Sequence, residues 1–200
     1  KSHLALTNAL TYNERMCQMQ YITHYKSPLG GILVAADDTG LTGLWFDGAK
    51  YFADRLDPEH EEKATPILQQ ALEWLNIYFS GREPHFYPPL HITGTPFQLS
   101  VWKTLQKIPY GKTLSYGKIA AEIARQKGLP RMSPQAVGGA VGHNGISIII
   151  PCHRVIGTNG SLTGYAGGID KKEKLLALEN AQYPISDFIL SPIGQTIRDS

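Results

Sequence analysis

The chain has 200 residues, 42% of them hydrophobic and 10% aromatic, enough for one medium domain or two small ones. A net charge of +2 selects no partner, but residues 1–93 carry seven Lys or Arg against eleven Asp or Glu, residues 94–182 eleven against four, and the last eighteen one against two. Two isolated cysteines, Cys17 and Cys152, exclude a disulfide framework or Cys/His zinc cluster, and no apolar run or leader pattern suggests a membrane span or signal peptide.

Residues 1–17 read as a disordered leader or cloning remnant, with Met16 and Met19 as candidate starts. From Gln20 to Phe46, β-prone runs alternate with turns at Ser27-Pro-Leu-Gly-Gly and Asp37-Asp-Thr-Gly, which predicts a small antiparallel meander. Residues 65–79 combine Thr65-Pro66 with apolar residues at helical spacing, a helix that Gly81 ends. A Pro-rich connection from Pro84 to Pro96 separates an acidic unit, residues 18–92, from a basic one, residues 93–182.

In the basic unit, Phe97, Val101, Trp102 and Leu105 share one helix face, and Ile108-Pro-Tyr-Gly turns the chain. Ser115 caps a helix holding Ile119, Ala120 and Ile123, and Ser133-Pro134 opens a second, small-residue helix; the pair is predicted as a helix-turn-helix. Ile146 to Ile150 reads as a buried strand running into Pro151-Cys152-His153-Arg154, and a last helix covers Asp170 to Glu179. No role is assigned to the tail, residues 183–200.

Cys17 suits the inert, buried role of most free cysteines, whereas Cys152 follows a φ-restricting proline just where an apolar segment turns polar. Near neutrality a free thiol is only a few per cent thiolate, so a nucleophilic Cys152 needs a proton acceptor. His153 is the nearest candidate; neighbours in an extended segment point apart, which favours transfer through a bridging water. Glu179 is the acidic group available to orient the imidazole.

Residues 96 to 180 closely resemble the catalytic domain of O6-alkylguanine-DNA alkyltransferases. The motifs are Pro96-Phe97, Val101-Trp102, Ile108-Pro-Tyr-Gly111, Ser115-Tyr116-Gly117, Ala136-Val-Gly-Gly-Ala140, Asn144, Ile150-Pro-Cys-His-Arg-Val155, Gly164-Tyr-Ala-Gly-Gly168 and Leu175-Leu-Ala-Leu-Glu179. The first third matches more loosely, through Ser27-Pro-Leu-Gly30 and its strand pattern. The implied fold class is α+β: a ribonuclease-H-like antiparallel sheet domain followed by a helical domain with a winged-helix-like helix-turn-helix. The implied activity is repair of O6-alkylguanine, and of O4-alkylthymine, in double-stranded DNA by irreversible alkyl transfer to Cys152. His153 would act as base and Glu179 would orient it, Asn144 would be the hinge before the active-site strand, and Tyr116 would protonate the leaving base. Val155 and Tyr165 would line the pocket; Tyr116, Gln135, Ala136, Thr158 and Arg131 would contact DNA through its minor groove. Lys112, Lys118, Arg125 and Lys127 are further candidates for phosphate contacts. A cytoplasmic monomer without metal or organic cofactor is expected, associated with the nucleoid when acting on DNA.

The chain departs from the family pattern at three places. Gln135 stands where relatives carry the arginine that fills the hole left by the flipped base, Gly145 follows Asn144 where proline is common, and the Gln126–Met132 link is long and basic. Three other readings are open: a lesion-binding alkyltransferase-like protein without repair activity, a cysteine hydrolase, and a sequence-specific helix-turn-helix regulator.

Overall fold

The computed structural model describes residues 19–180, together with the backbone of two short paired strands, Ile189–Leu190 and Thr196–Ile197. The leader, with Cys17, and the remainder of the tail lie outside the described residues.

The meander forms as read: β1 (Gln20–Ser27), β2 (Gly30–Ala36) and β3 (Leu41–Phe46) pair antiparallel in sequence order. Asp37 shapes the second turn by accepting the Thr39 and Gly40 amides at 2.8 and 3.0 Å. A fourth strand escapes the sequence reading. β4 (His60–Glu62) is short, charged and exposed, and pairs parallel with β1 to give the order β3-β2-β1-β4. No alternation of apolar residues marks it, because neither of its faces is buried.

Alternation along β2 feeds two clusters. Ile32, Val34 and Ala36 join Leu44 and Phe46 beneath α1 (Pro66–Phe79), while Leu33 and Ala35 pack with Ile22 and Trp45 on the other face. Along α1, Leu68, Ala71, Leu75 and Tyr78 recur at helical spacing and are buried.

The second half contains α2 (Pro96–Leu105), β5 (Leu114–Ser115), α3 (Tyr116–Gln126), α4 (Pro134–Gly142), β6 (Val155–Ile156) and α5 (Ile169–Leu178). The helix starts are set locally: Thr95 and Gln98 form a reciprocal capping box, and Ser115 and Ser133 accept amides of the first turns of α3 and α4. β5 and β6 pair in parallel. The Trp102 indole donates to the Ala140 carbonyl at 2.8 Å and ties α2 to α4. One apolar cluster runs from the sheet through α1 and α2 to Val137 and Leu175, so the two halves share a continuous core.

The predicted strand over Ile146–Ile150 is not one. Only Ile146 bridges to another strand, at Leu44, and the segment then turns, with Ile148 at φ 68°. All five residues are buried, and that burial is what the apolar run reported. Apolar character records removal from water; it does not select a backbone conformation. The left-handed φ of a β-branched residue is strain held by its surroundings.

Candidate active site

The turning segment delivers Cys152 into a one-turn 3-10 helix, Cys152–Arg154, rather than the end of an extended strand. Cys152 is a buried free thiol, and Asn144 faces it. The Asn144 amide nitrogen donates toward the Ile150 carbonyl at 2.9 Å, the Ile146 carbonyl at 3.2 Å and the Cys152 sulfur at 3.1 Å, while its oxygen accepts the Ile146 amide at 3.1 Å. The carbonyls fix which end of the amide meets the sulfur, so a donor faces it. Burial pushes the thiol pKa up; the Asn144 donor and the more distant Lys172 charge work against that.

The rigidity that Gly145 puts in question comes from the other half of the molecule. The Leu44 amide of β3 donates to the Gly145 carbonyl at 2.8 Å, and the Ser147 amide returns to the Leu44 carbonyl at 2.9 Å.

His153 is fully buried, with Nε2 2.7 Å from Oε1 of Glu179. A carboxylate only accepts, so Nε2 carries the hydrogen and Nδ1 presents its lone pair; Nδ1 has no protein partner. Burial lowers the imidazole pKa despite the nearby carboxylate, so His153 is neutral at pH 7. Glu179 also accepts the Tyr78 hydroxyl at 2.7 Å, Arg154 Nη2 at 3.0 Å and Nε at 2.8 Å, and the Gly111 amide at 3.1 Å. Burial alone would raise its pKa; His153 and the Arg154 guanidinium overcome it and bring the carboxyl down to about 2. Gly111 sits at φ 68°, and a Cβ there would meet the Glu179 carbonyl oxygen at 2.8 Å, so only glycine brings its amide so close.

Val155 is buried beside the 3-10 turn. The Tyr165 hydroxyl is buried and near enough to Cys152 that its pKa, raised first by burial, is raised further by the thiolate charge. The Tyr116 hydroxyl donates to the Thr163 carbonyl at 3.0 Å, and burial, then Cys152, raise its pKa too. Cys152, His153, Glu179, Asn144, Val155, Tyr165 and Tyr116 therefore share one region.

Gln135, Ala136, Arg131 and Thr158 are instead exposed, the first two in the opening turn of α4. Of the two helix glycines, a Cβ on Gly138 would rest 3.8 Å from the Tyr116 ring, whereas Gly139 faces open space. Arg125 is drawn into a bidentate pair with Glu122 at 2.9 and 2.8 Å, and Lys127 lies over the Phe97 ring.

Three participants escape the sequence reading. Tyr78 looks like ordinary core of α1. Arg154 follows His153 with nothing in its sequence setting to single it out, and its Nη1 also donates to the Ile108 carbonyl at 2.6 Å. Lys172 is fully buried, donates to the Val155 and Thr163 carbonyls at 2.5 and 2.9 Å, and is lowered to about 8 by burial. Helical spacing held the clue: Lys172, Leu175, Leu176 and Glu179 fall on one face.

Fold and site together define a two-part thiol protein, with an exposed helix-turn-helix on one side and a buried Cys-His-Glu arrangement within. Residues 96–181 match the 6-O-methylguanine DNA methyltransferase, DNA binding domain, and residues 20–92 match the ribonuclease-like domain of the same proteins. The chain belongs to the 6-O-methylguanine DNA methyltransferase family. It is 45% identical over 160 residues to the methylated-DNA–protein-cysteine methyltransferase of Mycolicibacterium paratuberculosis, covering 80% of this chain and 92% of the relative. It is 40% identical over 169 residues to the constitutive methylated-DNA–protein-cysteine methyltransferase of Bacillus subtilis, covering 82% and 98%. The crystal structure of Mycobacterium tuberculosis OGT in complex with DNA superposes with a TM-score of 0.68 at 42% identity, covering 80% of this chain and 92% of that one. No helix among the described residues is long and apolar enough to cross a membrane.

Proposed function

We propose that this protein repairs O6-alkylguanine, and O4-alkylthymine, in double-stranded DNA by moving the alkyl group onto its own Cys152. The observation that carries the reading is the 2.7 Å contact between His153 Nε2 and Glu179, which leaves Nδ1 as a base on the residue next to a buried thiol faced by the Asn144 donor.

In the reaction, the thiol proton passes to His153 Nδ1 through one bridging water; the Glu179 carboxylate at Nε2 stabilises the resulting imidazolium, whose charge the new thiolate balances, while Arg154 keeps Glu179 ionised and in place. The sulfur attacks the alkyl carbon, the S–C bond forms as the C–O bond breaks, and the electron pair stays on the guanine. Tyr116 supplies the proton that neutralises the leaving base and regains one through solvent as the His153 imidazolium gives its proton up, so the thiol proton ends on the guanine and no net charge remains. The product thioether has no carbonyl for water to attack, so each molecule acts once. This chemistry calls for no metal or organic cofactor.

The alkylated oxygen lies within the duplex, so the nucleotide rotates out at a cost of about a few kcal/mol. α4 approaches the minor groove, where open space at Gly139 permits close contact; Gln135 and Ala136 meet the vacated stack, and Thr158 and Arg131 hold backbone phosphates. A monomer working in the reducing cytoplasm, at the nucleoid, suits an exposed DNA face and a free thiol.

Intact-protein mass spectrometry after incubation with a duplex containing one O6-methylguanine tests the reading. The expected result is a single gain of one methylene mass on Cys152, absent in Cys152→Ser. Lesion binding without mass gain would place the chain among damage sensors instead; turnover on an ester would mark a hydrolase.

A further inference from the structure

The front half of the molecule touches the pocket loop at two points. β3 ends at Phe46, which is fully buried. A Cβ added to Gly167 would come within 3.2 Å of the Phe46 ring and 2.8 Å of the Tyr165 ring. The Phe46 and Tyr165 rings therefore both crowd the open face of Gly167, which is why position 167 admits no side chain. Four residues beyond Phe46, the Lys50 amide donates to the Ala166 carbonyl at 2.8 Å. The Gly168 amide returns to the Tyr165 carbonyl at 3.0 Å, closing residues 165–168 into a turn. The Lys171 ammonium, in the first turn of α5, lies over the Phe46 ring, 5.8 Å from its centre.

The turn carries Tyr165, whose buried hydroxyl senses the Cys152 charge, and it is braced at Gly167 and Ala166 by residues some 120 positions earlier in sequence. A close-packed aromatic ring cannot be compressed cheaply, and the turn cannot retreat without giving up the Lys50 hydrogen bond. With Tyr165 as a wall of the proposed alkyl pocket, the room for a group larger than methyl is set by how far this ring can recede.

We infer that Phe46, together with the Lys50 amide, is the backstop of the 165–168 turn and sets the largest alkyl group that Cys152 accepts. Phe46 is thus a positioning and specificity residue contributed by the front domain, acting through the turn without touching the alkyl group. The inference rests on the proposed alkyl transfer, with Tyr165 as a pocket wall.

The test compares single-turnover transfer rates, read by intact mass, from duplexes carrying O6-methylguanine or O6-benzylguanine. Phe46→Leu keeps the site apolar but shortens the backstop; the benzyl-to-methyl ratio should rise roughly tenfold, the scale on which pocket volume discriminates. Gly167→Ala should move the ratio in the opposite direction, because its Cβ drives the Tyr165 ring inward, and it serves alone if Phe46→Leu does not fold. A purely structural role would slow both substrates alike and leave the ratio unchanged. Unchanged ratios in variants that still transfer methyl would overturn the inference and leave the proposed function standing. Absence of methyl transfer in the unaltered chain would overturn the function, and this inference with it.

Discussion

At the end of α5, groups from α1, the 108–111 turn and the 3-10 turn converge on the buried Glu179 carboxylate. The opening turn of α4 is the opposite: Gln135 and Ala136 face solvent, and the turn is secured by the Ser133 cap beneath them. The buried cluster must balance its charges before any substrate arrives, since an unpaired ion in the interior is costly. On the proposed function the α4 face gains its partners only when DNA arrives, and in the free protein its exposed side chains are little constrained. The two regions accordingly differ in what a substitution costs, and in whether the cost falls on folding or on binding.

The largest effect is expected from Glu179→Gln. It leaves the buried Arg154 guanidinium without its counter-charge and should cost about 3–5 kcal/mol in urea unfolding, besides disabling the base. The parent protein should show a matching acid limb. With the carboxyl held at about 2 against an ordinary 4.5, its contribution is complete above pH 4.5 and is lost as pH falls toward 2. That limb should vanish in the variant; persistence of the same limb would assign it to another group.

Tyr78→Phe removes one donor but leaves the charges balanced, so the expected loss is about 1.5–3 kcal/mol, the worth of a hydrogen bond to an ion. A loss as large as that of Glu179→Gln would mean that the hydroxyl, not the charge pair, organises the cluster.

The pH dependence of the transfer rate probes the same cluster kinetically. His153 is depressed below 6.5 and Cys152 raised above 9.0, so the base is neutral and the thiol protonated between these values. The rate should be flat across that window and fall about tenfold per unit well below the His153 pKa. A rate climbing tenfold per unit from pH 7 to 9 would instead identify free thiolate as the nucleophile, formed without His153.

On the α4 face the effects are smallest. Gln135→Arg replaces a neutral donor with a charged one toward the orphaned base, which is worth about 1 kcal/mol, or about fivefold in affinity for lesion duplex. Folding stability should not move. Unchanged affinity and repair rate would show that the side chain does not enter the stack.

Much of this was legible from local chemistry. Thr65-Pro66, Ser115 and Ser133-Pro134 start helices as read, because a cap satisfies amides only a few residues away. The strand misread at Ile146–Ile150 and the missed β4 share one cause: in each, conformation is decided by a distant neighbour, Leu44 for the first and β1 for the second. Cys152, His153 and Glu179 were nameable as chemical types, and the motif order around them placed the chain near a family.

The sequence by itself determined the helix starts read from caps, the meander and the acidic and basic halves, and it singled out Cys152 as the candidate thiol, since each depends on residues close along the chain. Only the tertiary structure decided that Tyr78 and Arg154 meet Glu179, that Lys172 is buried between two carbonyls, and that Phe46 packs against Gly167 beside Tyr165. Those contacts join segments from 9 to more than 100 residues apart, and they exist because apolar burial brings the two halves onto one core, leaving polar groups to find partners wherever packing has placed them.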